Sequence, residues 1–544
     1  MRNFEGDLML IMPRKIPLRI AACFLPFLSA VLLNLAWPPH GFTAGIFIGL
    51  VPLILLKKLL KVNGIHYFLL TFAGFLVFHL LAGWWMYSST IAGSLMAHLF
   101  NALYMAFVFF LWSKYDNLPF TSSISGFFSL IIFWLSFEML HLHWELSWPW
   151  FHLGNAFSAQ PQWIQWYQFT GVLGGSLWVL IVNLFLAYGI VYWVERSKQK
   201  AIKAFALGGL FIFSPIIASL LIPQNQLATH KLHVLIVQPD INPRTEKFNG
   251  LTQSEQVDQA TQLIQENQAA TYDLIVLPET FITQAVDEDS LHHSLSVSSL
   301  IRSVEASSAT AIITGVFTTK SAQKAGSDIA AIIDADRPYV LYNSALLYSD
   351  ANFQLYHKSQ LVPLVEKQPF YGMMKPLQSF IESSGGFFGR YGTAPAETVF
   401  RLNDSTRIAP LICFESVYGY QLTKQIKQGA GFIVLLTNDG WWNTSGGYQQ
   451  HLHYARLRCI ESGRWMVRAA NTGVSAIIDH QGHIVRQTNY GQKEVIAADV
   501  AVYSGMTLYA RLGDYIGIIA LGGCLLILLQ YLLIKYYRRR HSLH

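Results

Sequence analysis

Apolar residues are distributed very unevenly along this chain of 544 residues, and that distribution constrains the fold more than any other feature. Residues 1–222 and 513–536 are overwhelmingly apolar, whereas residues 230–500 have the composition of a globular domain. Only 13% of the chain is charged, about half of the roughly 25% typical of soluble domains. The sequence therefore predicts a membrane part and one large soluble domain.

Eight apolar stretches are long enough to cross a bilayer, which takes about 20 residues per helix. They lie near residues 17–36, 42–60, 65–84, 91–113, 123–143, 169–194, 203–222 and 513–535. We therefore expect a transmembrane domain of seven helices over residues 1–225, an extracytoplasmic domain over residues 230–505, and a final helix with a basic tail over residues 512–544.

Lysine and arginine occur in alternate connections between these stretches. The basic clusters are Arg2, Arg14, Lys15 and Arg19; Lys57, Lys58 and Lys61; Lys114; Arg196, Lys198, Lys200 and Lys203; and Lys535, Arg538, Arg539 and Arg540. The intervening loops 37–41, 85–90 and 144–168 contain neither residue type. Since basic loops stay in the cytoplasm, both termini should be cytoplasmic and the soluble domain should face outward. The net charge of +6 thus reflects membrane topology, and no basic domain face indicates nucleic-acid binding.

Short β-branched runs and amphipathic stretches alternate within the soluble domain. The strand-like runs are Lys231–Val237, Asp273–Leu277, Ala311–Phe317, Ser344–Tyr348, Arg407–Cys413, Gly431–Leu436 and Gly473–Ile478. The helical stretches are 252–269, 293–306, 417–428 and 449–462. This alternation predicts an α/β fold.

Three residues with catalytic chemistry each follow a strand-like run: Glu279, Lys358 and Cys413. A carboxylate can act as a general base, a fixed ammonium can stabilise an oxyanion, and a thiolate is a strong nucleophile. Each also has a structural interpretation when taken alone: an acid at a helix N-terminus or in a salt bridge, a solvated lysine, and a buried apolar cysteine. The four cysteines show no metal-ligand spacing, so no metal site is predicted.

Several short motifs accompany these three residues: Pro278-Glu279, Tyr356-His357-Lys358, Leu361-Val362-Pro363, Ile412-Cys413-Phe414-Glu415, Asn438-Asp439-Gly440-Trp441-Trp442, Gln450-His451, Ala455-Arg456, Glu461, Arg468-Ala469-Ala470-Asn471-Thr472-Gly473, and Trp148-Pro149-Trp150 with Leu153-Gly154. Taken together with them, the order Glu–Lys–Cys resembles the nitrilase superfamily, and the whole chain resembles its membrane-embedded branch, the apolipoprotein N-acyltransferase family.

The resemblance implies a nitrilase-like αββα sandwich inserted after seven of eight transmembrane helices. It makes Cys413 the nucleophile, Glu279 the general base and Lys358 the oxyanion-stabilising residue. The supporting residues would be Glu366, Glu415 and Phe414, and the substrate-binding residues Phe248, Trp441, Trp442, Trp148, Trp150 and Asn438. No cofactor or metal is expected.

The implied reaction is ping-pong acyl transfer in a bacterial inner membrane. A phospholipid, with phosphatidylethanolamine the expected donor, would acylate Cys413 as a thioester. The acyl chain would then pass to the N-terminal amine of a diacylglyceryl apolipoprotein, which completes lipoprotein maturation. We expect the enzyme to be a monomer.

The chain departs from the family pattern at two places near these residues. The family often has LVPFGE, where this chain has Leu364-Val365 before Glu366, so the turn should differ because glycine tolerates conformations that valine does not. The aromatic residue near the domain start is commonly tryptophan in the family, and here it is Phe248.

Two other classes of function stay open from the sequence. A membrane-tethered amidase or nitrilase would share the three catalytic residues but would not need a lipid-facing cleft. A non-catalytic scaffold or transporter would not need an intact set of Glu279, Lys358 and Cys413, and a transporter is expected to show internal symmetry among its helices.

Overall fold

The computed structural model describes residues 18–118, 121–223, 228–267, 271–307, 309–321, 332–334, 337–383, 388–395 and 397–541. The basic residues Arg2, Arg14 and Lys15 lie outside this part of the chain. Contacts divide the chain into a helical unit, comprising Met1–Trp84, Ser94–Ile222 and Asp514–His544, and a sandwich unit, comprising Trp85–Gly93 and Pro223–Gly513.

The described residues of the helical unit form mainly apolar helices. They are α1 Leu18–Ala36, α2 Ile46–Gly49, α3 Val51–Lys58, α4 Gly64–Gly83, α5 Ile91–Asp116, α6 Ser123–His141, α7 Tyr167–Val194, α8 Lys198–Leu221 and α16 Tyr515–His541. Among the described residues, six of these helices (α4 to α8 and α16) are long and apolar enough to cross a membrane, and the apolar part of α1 is shorter.

The prediction of eight regular spans is wrong in its count, because residues 42–60 form the short helices α2 and α3 instead of one helix. Pro52 lies in the first turn of α3, where it has no N–H to continue the hydrogen bonding of α2. Asn183 of α7 compensates for this break: its side-chain oxygen accepts from Leu50 N at 2.8 Å and its nitrogen donates to Ile46 O at 2.8 Å. Broken helices persist at membrane depth only where such partners are available.

The sandwich unit contains fourteen strands among its described residues. They are β1 His230–Gln238, β2 Leu274–Val276, β3 Ile282–Asp287, β4 Ala311–Ser321, β5 Ile332–Asp334, β6 Arg337–Ser349, β7 Asn352–His357, β8 Phe400–Arg401, β9 Arg407–Ile412, β10 Phe432–Thr437, β11 Met466–Ala470, β12 Ala476–Ile478, β13 Ile484–Gln487 and β14 Glu494–Val502. The helices are α9 Gln253–Gln265, α10 Leu295–Ala306, α11 Tyr371–Met374, α12 Gln378–Ser383, α13 Gly419–Lys427, α14 Gly446–Ser462 and α15 Leu508–Leu512.

The strands form two mixed sheets. The first has the order β14-β1-β2-β4-β6-β5, with β3 also paired to β4 and β7 to β6, and the second has the order β13-β12-β11-β10-β9-β8. The strands β1, β2 and β4 run parallel in the first sheet, and β9, β10 and β11 run parallel in the second. Parallel strands place their carboxyl ends, and the loops that follow, at one edge of each sheet.

Alternate residues of each strand point to opposite faces, and three apolar clusters show what those faces contact. Val234 of β1 and Val434 of β10 share a cluster between the sheets. Leu235 of β1 packs with residues of α9 and α10, and Leu411 of β9 packs with residues of α13 and α14. The predicted αββα sandwich is therefore confirmed.

Candidate active site

The ends of strands in the sandwich unit bring the three predicted catalytic residues together. Glu279 follows β2, Lys358 follows β7 directly, and Cys413 follows β9. The Lys358 ammonium lies 3.3 Å from Glu279 Oε1, and it interacts electrostatically with the Cys413 thiol. Lys358 is only 1% exposed, so the interpretation of this residue as a solvated surface lysine is wrong.

Glu366 forms a second ion pair with Lys358. Its Oε1 lies 2.8 Å from Lys358 Nζ, and its Oε2 accepts from Val362 N at 2.8 Å. Burial alone would lower the pKa of Lys358, but Glu366 and Glu279 outweigh that effect and raise the pKa above its usual range. Lys358 is therefore a permanent cation held between two carboxylates.

Cys413 occupies a sharp turn between β9 and the segment that follows. Its φ of +51° lies in the left-handed region, which costs energy for a residue with a side chain. The side chain is half-buried. Burial raises the pKa of the Cys413 thiol, nearby Glu279 raises it further, and Lys358 opposes both. The raised pKa favours the neutral thiol form of Cys413 over the thiolate.

Glu415 connects the loop of Cys413 to the loop of Lys358. It is fully buried; Oε2 accepts from Ile412 N at 2.7 Å, and Oε1 accepts from Ser359 N at 2.7 Å and from the Tyr356 hydroxyl at 2.7 Å. Burial raises the pKa of Glu415, while these donors act in the opposite direction. Phe414 is buried beside it and packs edge-on against Tyr418 with ring centroids 5.3 Å apart.

Comparison with known proteins finds family matches in both units. The Carbon-nitrogen hydrolase family matches residues 236–505. The family described as Apolipoprotein N-acyltransferase N-terminal domain matches residues 29–185. The chain belongs to the apolipoprotein N-acyltransferase family.

Relatives of this chain carry the name of that family. The apolipoprotein N-acyltransferase of Chlorobaculum tepidum is 29% identical over 515 residues, which cover 92% of this chain and 94% of that protein. The one from Pasteurella multocida is 32% identical over 206 residues, and this match spans only 37% of its length and 38% of this chain. Among solved structures, Saccharomyces cerevisiae Nit3, a member of branch 10 of the nitrilase superfamily, matches with a TM-score of 0.35 and 17% identity over 51% of this chain and 93% of Nit3.

Four of the predicted substrate-binding residues lie in the sandwich unit of this family member. Phe248 and Trp441 are both partly exposed, and their rings stack with centroids 6.0 Å apart. Trp442 packs edge-on against Trp85 at 4.9 Å. Asn438 is buried, and its amide nitrogen has no hydrogen-bond partner within the described structure. A buried donor without a partner is uncommon in folded proteins, and the role of Asn438 in substrate binding stays a prediction.

The other two, Trp148 and Trp150, lie in the helical unit, where they stack on each other at 5.5 Å. Trp150 is fully buried and Trp148 is partly exposed. Their role in substrate binding stays a prediction.

Two contacts of Glu279 were not anticipated from the sequence. The Asn343 amide donates to Glu279 Oε1 at 2.9 Å and to Glu366 Oε1 at 3.2 Å. The buried Lys247 donates to the Glu279 carbonyl at 2.8 Å and to the Thr280 hydroxyl at 3.0 Å. Lys247 precedes the predicted Phe248, which was the only available signal; Asn343 lies inside β6 with no local signal at all.

A buried polar cluster also contacts the backbone of the Cys413 turn. His451 Nε2 lies 3.1 Å from the Cys413 carbonyl oxygen, and Nδ1 lies 2.9 Å from Asp439 Oδ1. Arg468 donates to Asp439 Oδ2 at 2.9 Å. The sequence placed all three in family-like motifs but gave them no role; their contacts hold the strained backbone of Cys413.

The backbone at the departure before Glu366 contains one left-handed residue. Leu364 has a φ of +66°, whereas Val365 does not have a positive φ. The turn is closed by Leu364 N donating to Lys367 O at 2.8 Å and Glu366 N donating to Val362 O at 2.9 Å. The left-handed conformation therefore falls at Leu364, and valine at position 365 needs none of the freedom of glycine.

Proposed function

We propose that this chain transfers an acyl chain from a phospholipid, through a thioester on Cys413, to the α-amine of the diacylglyceryl-cysteine of an apolipoprotein. The observation that supports this most strongly is the buried Lys358 between Glu279 and Glu366, beside the Cys413 turn. In the same chain, residues 236–505 match the Carbon-nitrogen hydrolase family and residues 29–185 match the Apolipoprotein N-acyltransferase N-terminal domain.

In the first half-reaction, Glu279 takes the proton of the Cys413 thiol as the sulfur attacks the sn-1 ester carbonyl. Lys358 stabilises the oxyanion of the tetrahedral intermediate. The C–O bond then breaks, Glu279 returns the proton to the departing glycerol oxygen, and lysophospholipid leaves. The raised pKa of the thiol is the reason that this step needs a general base.

Glu366 keeps Lys358 charged and in place during that proton transfer. Before attack, one ammonium faces the carboxylates of Glu279 and Glu366. When Glu279 becomes neutral, the contact of 2.8 Å between Lys358 and Glu366 remains. Moving the proton from Cys413 to Glu279 leaves the total charge of the cluster unchanged, which avoids adding an uncompensated charge to a buried site.

In the second half-reaction, the acceptor amine attacks the thioester carbonyl. Glu279 removes a proton from the attacking nitrogen, the C–S bond breaks, and Glu279 passes that proton to the Cys413 sulfur, which restores the thiol and the carboxylate. The energy of the thioester drives the transfer. Water must be excluded from the intermediate, and the stacked pair Phe248 and Trp441 is the proposed cover.

The donor is proposed to be phosphatidylethanolamine, and Trp148 and Trp150 are proposed to contact its acyl chains. The proposed location is the bacterial inner membrane, with the sandwich unit periplasmic and both termini cytoplasmic. An ion pair supports this topology: Lys58 at the end of α3 lies 2.7 Å from Asp116 at the end of α5. Two connections predicted to be cytoplasmic therefore lie at the same end of the helical unit.

The test is acyl transfer by the purified protein in detergent. Phosphatidylethanolamine with a labelled sn-1 chain and a diacylglyceryl lipopeptide should give a lipopeptide heavier by one acyl chain, together with lysophospholipid. Cys413→Ala should abolish both products, and Cys23→Ala, which changes a cysteine of α1, should retain them. Release of free fatty acid without acylated lipopeptide would favour a hydrolase instead.

A further inference from the structure

An open groove of about 570 Å³ lies on the sandwich unit beside the candidate active site. Its walls come from loops that follow β1, β10 and β11, from the turn before β14, and from Gln259 of α9. Ligands of α/β proteins bind in crevices at the carboxyl ends of parallel strands, which is where these loops lie.

The groove is connected to the nucleophile through the loop after β10. The Thr437 side chain, at the end of β10, hydrogen-bonds the Cys413 thiol. Gly440, three residues later, lines the groove, and three residues span at most about 10 Å. Between them lies Asn438, whose buried amide nitrogen has no partner in the described structure.

The lining of the groove is polar and carries a negative excess. Its charged side chains are those of Asp240, Glu246 and Lys493, so two carboxylates face one ammonium. The nearby Arg244 guanidinium donates to the Trp441 carbonyl at 2.8 Å and to the Ser88 carbonyl. Within the lining the two carboxylates outnumber the single ammonium, so a neutral or basic polar chain is favoured over an acidic one.

Two residues of the groove adopt a conformation that is costly for them. Asp240 has a φ of +50° and Asn443 a φ of +52°. Strained residues of this kind persist where the surrounding structure fixes them, often at ligand-binding sites. They lie on different walls, one after β1 and one after β10, so the strain is not confined to one turn.

We propose that this groove binds the polypeptide segment that follows the lipidated cysteine of the acceptor, with a preference for neutral or basic residues. This inference rests on the proposed function. The acceptor carries apolar acyl chains and a polar polypeptide on one cysteine, and its amine must reach the thioester on Cys413. The polar lining of the groove could contact this polypeptide, and Gly440 in that lining is only three residues from Thr437.

The test uses two variants that narrow the groove from opposite walls, Gln259→Trp and Thr444→Trp. Gln262→Trp is the matched control, because Gln262 is an exposed residue on the same helix as Gln259 and does not line the groove. The acceptors are diacylglyceryl-cysteine amide, the same lipid with four further neutral residues, and versions with basic or acidic residues at those four positions. Formation of the acyl-enzyme from phosphatidylethanolamine is measured separately.

Both groove variants should raise KM for the extended acceptors at least tenfold while leaving diacylglyceryl-cysteine amide and acyl-enzyme formation unchanged. The unmodified protein should have a lower KM for the basic acceptor than for the acidic one. Equal effects on the long and the short acceptor, or none on either, would overturn the proposal. Slower acyl-enzyme formation in both variants would assign the groove to the donor headgroup and also overturn it. Absence of any transfer by the unmodified protein would instead contradict the proposed function.

Discussion

At the scale of single residues, the environment of Lys358 decides what the site can do. A lysine 1% exposed is destabilising unless it is paired, because burial of an isolated charge is costly. Glu279 and Glu366 supply that pairing at 3.3 and 2.8 Å. The proposed mechanism assigns the two carboxylates different tasks: Glu279 exchanges a proton with Cys413, and Glu366 holds the cation.

Glu366→Gln tests this division of tasks. The amide can keep a hydrogen bond but loses the charge that holds Lys358 during proton transfer. Acyl-enzyme formation should therefore slow by at least about tenfold, a smaller loss than the roughly 10²–10³-fold that follows removal of an oxyanion-stabilising group itself. Single-turnover acylation with labelled phospholipid gives the rate. Glu397→Gln, which removes a half-exposed carboxylate paired with Lys424, should leave the rate unchanged. An unaltered rate in Glu366→Gln would show that the charge is not needed.

Lys247 predicts a pH dependence of stability. Burial lowers its pKa to about 7, with Glu279 acting in the opposite direction, while an unfolded lysine titrates near 10.4. Between these values the unfolded chain binds a proton that the folded chain does not, so this residue makes stability rise with pH from about 7 to about 10. Below pH 7 its contribution is constant.

The measurement for Lys247 is the melting temperature of the purified protein between pH 6 and pH 9.5. The difference between the unmodified protein and Lys247→Met should shift in favour of the unmodified protein as pH rises above 7. Lys231→Met, at an exposed lysine of β1, should show no such trend. A constant difference across the range would contradict a lowered pKa for Lys247.

At the scale of secondary-structure elements, long regular strands and helices were easier to predict than the loops and breaks between them. The apolar runs that predicted β1, β4, β9 and β10 begin and end within a few residues of the strands, because alternation along a strand is encoded locally. The break between α2 and α3 was missed, since its stabilising partner Asn183 is more than 120 residues away. Asn343 was missed for a similar reason, because it meets the carboxylates of Glu279 and Glu366 only in the folded sandwich, at sequence separations of 64 and 23 residues.

Asn183→Leu should destabilise the helical unit. It would leave the Leu50 N–H and the Ile46 carbonyl without their partner, at a cost of roughly 1–3 kcal/mol for each unsatisfied buried group. Asn101→Leu removes a buried amide that donates only to Ala97 O in its own helix, so it is the matched control. Thermal unfolding in detergent should show a clearly larger loss for Asn183→Leu; equal losses would indicate that the break does not depend on this side chain.

At the scale of the whole molecule, the sequence predicted the division between apolar helices and an αββα sandwich, because composition changes sharply at about residue 225. It also predicted that Glu279, Lys358 and Cys413 each lie just after a strand. It could not predict the groove beside them, since that groove is formed by four loops and one helix from separate parts of the chain. Loop conformation depends on tertiary contacts that no local pattern encodes.

The proposed topology can be checked with two engineered cysteines at exposed positions, Asn352→Cys in the sandwich unit and Gln199→Cys in the first turn of α8. A membrane-impermeant maleimide applied to intact spheroplasts should label the first, because its domain is expected to face outward. Gln199→Cys should react only after lysis, since it lies in a basic connection. The reverse pattern would contradict the periplasmic placement of the sandwich unit.

The acyl-enzyme itself is the most direct test of the central claim that Cys413 carries the acyl group. The purified protein is incubated with phosphatidylethanolamine in the absence of an acceptor, and intact and peptide mass spectrometry then locate any adduct. We predict one acyl chain on Cys413, released by hydroxylamine and by an added diacylglyceryl lipopeptide, and no adduct in Cys413→Ala. An acyl group on another residue, or full transferase activity in Cys413→Ala, would contradict this account.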